Sequence, residues 1–176
     1  MPRKLLFLIV VAILITVPVL LIASDDVEDP KLAVYVGPVD AERPMEVDLG
    51  RSKEVFVNTC SKCHSLKRPL GKTKDRAGWE KTVNRMNKNN KKRFGKEIPP
   101  LDRQEIVNYL TAKNTFEATC SKCHALSRPL GKTKNRAEWE KTITRMSKND
   151  KRRFGEPISD DVQATIVGYL FENAGK

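Results

Sequence analysis

Histidine and aromatic residues are scarce in this chain of 176 residues. The first shortage excludes one class of metal site, and the second limits the size of the core. There are only two histidines, so a metal site that needs three of them cannot form. The chain has no G-x-x-x-x-G-K-[ST] or G-x-G-x-x-G segment, and therefore no phosphate-binding loop for a nucleotide. Aromatic residues make up 6% of the chain and charged residues 31%, so a core of side chains alone would be thin. Small domains of this kind usually need a disulfide, a metal or a cofactor.

The net charge of +11 is divided unevenly along the chain. Residues 1–23 have two basic and no acidic side chains, which gives +2. Residues 24–50 have two basic and eight acidic side chains, which gives −6. Residues 51–176 have 29 basic and 14 acidic side chains, which gives +15. The chain therefore consists of three distinct segments: an apolar start, a short acidic stretch and a strongly basic body.

The first segment is predicted to be a transmembrane anchor over residues 1–23. Leu5 to Ala23 is a run of 19 residues without a charge. As a helix it would be about 28 Å long, close to the hydrocarbon thickness of a bilayer. A cleaved signal peptide is the alternative, but this run is longer than its usual apolar region, and Leu21-Ile22-Ala23 is not an A-x-A-like cleavage site. Arg3 and Lys4 favour a cytoplasmic N-terminus, with the rest on the periplasmic or extracellular side of the inner membrane.

Residues 24–50 are predicted to be an acidic tether between the anchor and the basic body. Three prolines, Pro30, Pro38 and Pro44, argue against a helix, and the segment is too short to bury a core of its own. An apolar island at residues 32–36 has two interpretations. It is either extended chain lying on the folded domain or a docking strand for a partner subunit.

The basic body contains one sequence unit twice. Residues 56–95 and 116–155 align at an offset of 60 without a gap and are identical at 29 of 40 positions. Each copy is followed by an apolar pattern of helical spacing; these residues are Ile106, Val107, Tyr109 and Leu110, then Ile166, Val167, Tyr169 and Leu170. The duplication predicts two small all-α domains, a first unit (51–115) and a second unit (116–176). A unit of about 60 residues is marginally stable unless a large group lies inside it.

Each unit contains the sequence C-x-x-C-H, as Cys60-Ser61-Lys62-Cys63-His64 and as Cys120-Ser121-Lys122-Cys123-His124. This is the attachment sequence of haem c, in which two thiols form thioethers and the adjacent histidine binds the iron. A zinc site made of two C-x-x-C pairs would have about 15–20 residues between them, whereas here 56 intervene. A thioredoxin-like pair would lie in a βαβ unit, and two disulfides would not explain the histidines. The sequence therefore predicts two covalently bound haems c.

On these motifs the chain resembles the small class I-type c-type cytochromes, in a membrane-anchored dihaem form. The resemblance covers roughly residues 51–176. It implies an all-α fold in which a leading helix brings in the attachment site and a closing helix crosses it. Aromatic residues of this family on the two helices match Phe56 and Phe116, and Tyr109 and Tyr169. The chain departs from this family at one point. The family often has a proline about a dozen residues after the histidine, and the carbonyl of that proline orients the imidazole. Here Pro69 and Pro129 come only five residues after the histidine. The carbonyl that orients each histidine is therefore left open.

The second axial ligand is predicted by elimination to be a methionine. Both histidines are already assigned, Met1 precedes the anchor and Met45 lies in the tether, so Met86 and Met146 are left, each 22 residues after its histidine. Each lies on an apolar helix face; the two faces are Trp79, Val83 and Met86, then Trp139, Ile143 and Met146. The alternative is a methionine that fills a gap in the core. Its recurrence in both copies favours ligation, which would close the iron and raise its potential.

Basic and indole side chains near the motifs have two interpretations each. The first group is Lys72, Lys74 and Arg76 with Lys132, Lys134 and Arg136. These residues would either pair with haem propionates or form a solvated loop. Trp79 and Trp139 would either donate to a propionate or form a wall of the haem pocket, and packing is favoured. The basic runs Lys88 to Arg93 and Lys148 to Arg153, together with the +15 of the basic body, predict a positive face for a redox partner with an acidic docking surface. Nucleic acid would suit the charge but not an extracytoplasmic location.

Residues 102–120 connect the two units and contain neither glycine nor proline. Either one long helix of about 27 Å carries both units, or the chain breaks at residues 113–115, with Thr115 as a new N-cap. The predicted function is electron transfer rather than catalysis, either as a tethered carrier or as a subunit of a respiratory or photosynthetic complex. The alternatives are a peroxidase-like enzyme with an open iron and a haem-based gas sensor.

Overall fold

The computed structural model describes residues 47–176, and every regular element among them is a helix. This confirms the all-α prediction for these residues. The seven helices are α1 Leu49–Cys60, α2 Lys67–Leu70, α3 Arg76–Phe94, α4 Pro100–Cys120, α5 Ser127–Leu130, α6 Arg136–Phe154 and α7 Asp160–Asn173. Helix α1 begins two residues before the predicted start of the first unit. Within residues 47–176 no helix is long and apolar enough to cross a membrane. The predicted anchor, and the predicted tether as far as residue 46, lie outside the described residues.

The two units delimit their long middle helices, α3 and α6, by similar local interactions. The side chain of Asp75 accepts from the backbone N–H three residues later at 2.8 Å, and that of Asn135 does the same at 2.9 Å. In α6 the carboxylate of Glu138 also accepts from the N–H of Asn135, which completes a capping box. Both helices end at a left-handed glycine, Gly95 with φ 69° and Gly155 with φ 92°. The repeated sequence therefore forms the same helix twice.

Helix α4 is continuous from Pro100 to Cys120, so the single long helix is the alternative observed. Two of the three polar residues that suggested a break, Lys113 and Asn114, have partners instead. The ammonium of Lys113 lies 2.5 Å from the carboxylate of Glu117, and the Asn114 amide donates to the Lys74 carbonyl at 2.6 Å. Because these contacts give the buried ammonium and the buried amide N–H each an acceptor, the helix does not need to end there. The first half of α4 closes the first unit and the second half is the leading helix of the second unit.

A layer of three helices, α1, α4 and α7, forms the centre of the structure, with α3 packed on α4 and α6 packed on α7. Phe56 of α1 stacks on Tyr109 with ring centroids 5.0 Å apart. Phe116 stacks on Tyr169 of α7 at 5.1 Å. The two tyrosine rings are 6.0 Å apart and connect the two stacks. The largest fully buried apolar side chains are Trp79, Trp139, Phe56, Phe116, Ile106, Leu110, Ile166 and Leu170.

Candidate functional site

Both cysteine pairs lie just where a helix ends. Cys60 is the last residue of α1 and Cys120 the last residue of α4. The chain then turns, with the N–H of Cys63 donating to the carbonyl of Cys60 at 3.4 Å, and Cys123 does the same to Cys120 at 3.3 Å. All four thiols are free. Burial raises the pKa of Cys60 and of Cys120 to about 11. A reactive redox cysteine needs a lowered pKa, and the shift at Cys60 and Cys120 is in the opposite direction.

Each motif histidine is oriented by the carbonyl of the residue that follows it. His64 Nδ1 lies 3.1 Å from the carbonyl oxygen of Ser65, and His124 Nδ1 lies 3.1 Å from that of Ala125. A carbonyl only accepts, so Nδ1 carries the proton and donates it. In the neutral ring this tautomer leaves the lone pair on Nε2, which is the form a metal-binding imidazole takes. This geometry supplies the carbonyl that the sequence left open.

A cavity of about 500 Å³ in the second unit brings together all four of that unit's predicted site residues, namely Cys120, Cys123, His124 and Met146. Its volume falls within the range of small-molecule and cofactor pockets. The apolar part of the wall includes Trp139, Ile143, Ile158, Ile166 and Leu170. Basic side chains also line it; they are Arg128, Lys132, Lys134, Arg145 and Arg153. An apolar interior with a cationic lining suits a flat, largely apolar group that carries carboxylates.

Met146 of the second unit is more exposed than the core residues on the same helix face. Trp139 and Ile143 on the same face of α6 are buried, at 2% and 4% exposure. Met146 is only half-buried and lines the cavity. A methionine that merely filled a gap in the core would be enclosed like its neighbours. The thioether is therefore accessible to a ligand or cofactor in the cavity.

The first unit repeats this pattern of burial. Cys60, His64 and Met86 are half-buried, as are their counterparts in the second unit. Trp79 and Val83 are buried, at 1% and 4% exposure. The four predicted site residues of the first unit thus have the same helical context and exposure as those of the second unit.

Three buried polar atoms of the first unit have no partner within residues 47–176: Thr111 Oγ1, Asn114 Oδ1 and, in the candidate site, the indole Nε1 of Trp79. A buried donor without an acceptor costs about 1–3 kcal/mol. A bound group with a carboxylate at this position would supply the acceptor. The haem propionates have that chemistry, so the residues of the site fit the group that the motifs predict.

Two lysines are held beside the tryptophans rather than solvated. Lys74 Nζ lies 5.6 Å from the Trp79 ring centroid, and Lys134 Nζ lies 5.5 Å from that of Trp139. Each ammonium also donates to a threonine hydroxyl; the pairs are Lys74 with Thr82 at 2.7 Å and Lys134 with Thr142 at 2.9 Å. These threonines were not among the predicted site residues, although their identity in both copies was a usable signal.

The other basic candidates divide between solvent and other contacts. Lys72 and Lys132 are exposed, although Lys132 lines the cavity. Arg76 pairs with Glu80 at 3.2 Å, and Arg136 lies over the Phe171 ring at 5.4 Å. Of the six basic candidates, the two lysines beside the tryptophans are the best placed to meet a carboxylate.

Within the described part of the chain, no three His, Cys, Asp or Glu side chains converge as a metal site would require. The two cysteine pairs therefore do not combine into a zinc centre there. No family model, no curated protein and no solved structure matches this chain. The assignment of the site thus depends on its own residues and their geometry.

Proposed function

We propose that the protein is a dihaem c-type cytochrome that relays single electrons between redox proteins. The observation that carries this proposal is the cavity lined at once by Cys120, Cys123, His124 and Met146. These residues would supply the two thioethers and the two iron ligands of one haem c. The same four residue types recur at the same spacing in the first unit. Two haems per chain follow from the repeat.

Each group of the site has a defined task. The four cysteine sulfurs would hold the haems covalently, and His64 and His124 would bind the irons through Nε2. The carbonyls of Ser65 and Ala125 keep the imidazoles in the orientation and tautomer that this requires. Met86 and Met146 would complete the coordination. When bound, each haem supplies an iron that takes up and releases one electron, with a potential raised by His/Met ligation.

Full coordination favours electron transfer over catalysis. A peroxidase-like reaction needs an open iron and an acid or base beside it. One carboxylate, that of Asp150, lines the cavity of the second unit, and Asn90 takes its place in the first. Met146 lies one helical turn before Asp150 and would close the iron on this side. A gas sensor would need the same methionine to be displaced.

The proposed location is the periplasmic or extracellular face of the cytoplasmic membrane. The 19 uncharged residues from Leu5 to Ala23 support an anchor, with Arg3 and Lys4 on its cytoplasmic side. The acidic tether would then connect the anchor to the haem units. A free tethered carrier and a subunit of a larger membrane complex both agree with this arrangement.

The proposal is tested on full-length protein made in cells that attach haem c. The double variants Cys60→Ser/Cys63→Ser and Cys120→Ser/Cys123→Ser should each lose the mass of one haem. Met86→Ala and Met146→Ala should each keep both haems but lower the potential of one, because an open or water-bound iron loses the thioether. Met45→Ala is the matched control and should leave both potentials unchanged. Unchanged potentials in both site variants would contradict the ligand assignment.

A further inference from the structure

Two exposed surfaces occupy equivalent positions beside the two sites. The first outer surface, residues 88–103, connects the end of α3 to the start of α4. The second outer surface, residues 148–163, connects α6 to α7 in the same way. Asp150 and Arg153 of the second surface line the cavity, so this surface lies at the edge of the site. A protein bound there would be close to the cofactor.

The two surfaces differ sharply in charge. The first outer surface has six basic side chains against two acidic ones, which gives +4. The second has four basic and four acidic side chains, which gives 0. Exposed Lys96 of the first becomes exposed Glu156 in the second, and Asn90 becomes Asp150. The common fold does not account for this contrast in charge, because both surfaces connect equivalent helices in the same way.

They also differ in exposed apolar area. Phe94 and Phe154 are exposed on both surfaces, at 47% and 51%. Leu101 is 67% exposed on the first, and its counterpart is the exposed Asp161. Asp161 lies in the first turn of α7, where its negative charge interacts favourably with the helix dipole. Leu101 has no such role and adds little to the core.

We infer that the first outer surface docks an acidic redox protein and that the second does not, an inference that rests on the proposed function. Exposed Phe94 and Leu101 would supply apolar contacts, and the lysines and arginines of the same segment would form a cationic rim. Such a rim attracts an acidic protein over long distances and loses strength as salt is added. Glu97 and Asp102 make the rim mixed in sign. That mixture suits a protein partner better than an anionic lipid surface.

The test uses the full-length protein in a neutral detergent, with flavodoxin, a small acidic electron-transfer protein, as the probe. Calorimetry at low salt should give one flavodoxin bound per chain. Lys96→Glu/Leu101→Asp, which makes the first surface like the second, should weaken binding at least about tenfold. The reciprocal variant Glu156→Lys/Asp161→Leu should raise the stoichiometry from one to two. All these positions are exposed, and circular dichroism checks that each variant is folded.

The outcomes separate this inference from the proposed function. No binding or two bound flavodoxins in the wild type, or an unchanged stoichiometry in the reciprocal variant, would overturn the docking assignment. Capture by phosphatidylglycerol vesicles with the same dependence on Lys96 and Leu101, without flavodoxin binding, would replace the protein partner with a membrane surface. Haem content is measured on the same samples. A chain with two haems that fails the binding test refutes only the docking surface, whereas a chain without haem refutes the function.

Discussion

The first and second units have the same residues around their cysteines but different residues where they meet and on their outer surfaces. Both place a buried tryptophan, a half-buried methionine and a carbonyl-bound histidine in equivalent positions. At the junction Val57 corresponds to Glu117, and Glu54 corresponds to Asn114. The residues that the two copies share are those a common cofactor would need. Some of those that differ, such as Glu117 and Asn114, make contacts that their counterparts Val57 and Glu54 do not make.

The leading helices illustrate this difference. Helix α1 has its own N-cap, because the side chain of Asp48 accepts from two backbone N–H groups at its start. The leading helix of the second unit has no start of its own and continues α4. Where α1 has its N-cap, α4 instead has the Lys113–Glu117 ion pair and the hydrogen bond from the Asn114 amide to the Lys74 carbonyl. The second unit therefore depends on the first for its leading helix, and we expect the two to unfold together.

The largest expected effect comes from the aromatic stacks. Phe56 and Phe116 are each 1% exposed, and replacing either with alanine should lower the free energy of unfolding by about 3–5 kcal/mol. Because α4 belongs to both units, denaturant melts should keep one transition in both variants. Phe94→Ala and Phe154→Ala, at exposed sites, should stay within about 0.5 kcal/mol of the wild type. Two separate transitions, with only one shifted, would show that the units fold independently.

A smaller effect is expected at the junction. Glu117→Val introduces valine, the residue at the equivalent position 57 of the first unit, and leaves buried Lys113 without its partner. We expect a loss of about 2 kcal/mol, below the range for fully buried pairs, since the Glu117 side chain is 32% exposed. Glu97→Val, which breaks the exposed pair with Lys91, is the control and should leave the unfolding free energy almost unchanged. Equal effects of the two variants would mean that burial of Lys113 carries no energetic consequence.

The helix caps should give a still smaller effect. Asn135→Ala removes the side chain that begins α6, and Asp75→Ala does the same for α3. Each variant should lower the free energy of unfolding, measured in a urea melt, by about 1 kcal/mol. The larger loss is expected at Asn135 because its capping box is also disrupted. The exposed Thr73→Ala exchange is the reference. A larger loss at Asp75 would mean that the capping box adds nothing.

The tyrosine contact predicts a weak sensitivity to alkali. Burial raises the pKa of Tyr109 and, by more, that of Tyr169. A raised acid pKa means that the folded chain holds these protons more tightly than the unfolded chain. The stabilisation is therefore intact below pH about 10, the usual tyrosine pKa, and declines as the pH rises further. Melting temperatures across this range should decline less steeply in Tyr169→Phe than in Tyr109→Phe; the reverse order would contradict the assigned environments.

Much of the fold and of the site was predictable because it depends on local patterns. Helical spacing correctly placed Trp139 and Ile143 in the core, and the repeat predicted two copies of each helix. The continuity of α4 was not decidable, since Lys113 and Asn114 suggest a break until their partners are known. Those partners come from another turn of the helix and from another loop. Likewise, Thr82 and Thr142 gain their roles only when the loop lysines fold back onto α3 and α6.

The central claim is that two closed haem sites lie in one chain, and the ferric optical spectrum of the purified protein tests it most directly. The spectrum is scaled to haem content and examined for the weak far-red band of methionine–iron ligation. The account predicts two haems per chain and two equivalents of that band. One equivalent or none would mean an open or differently ligated iron. That result would contradict the electron-carrier assignment and favour an enzyme or a sensor.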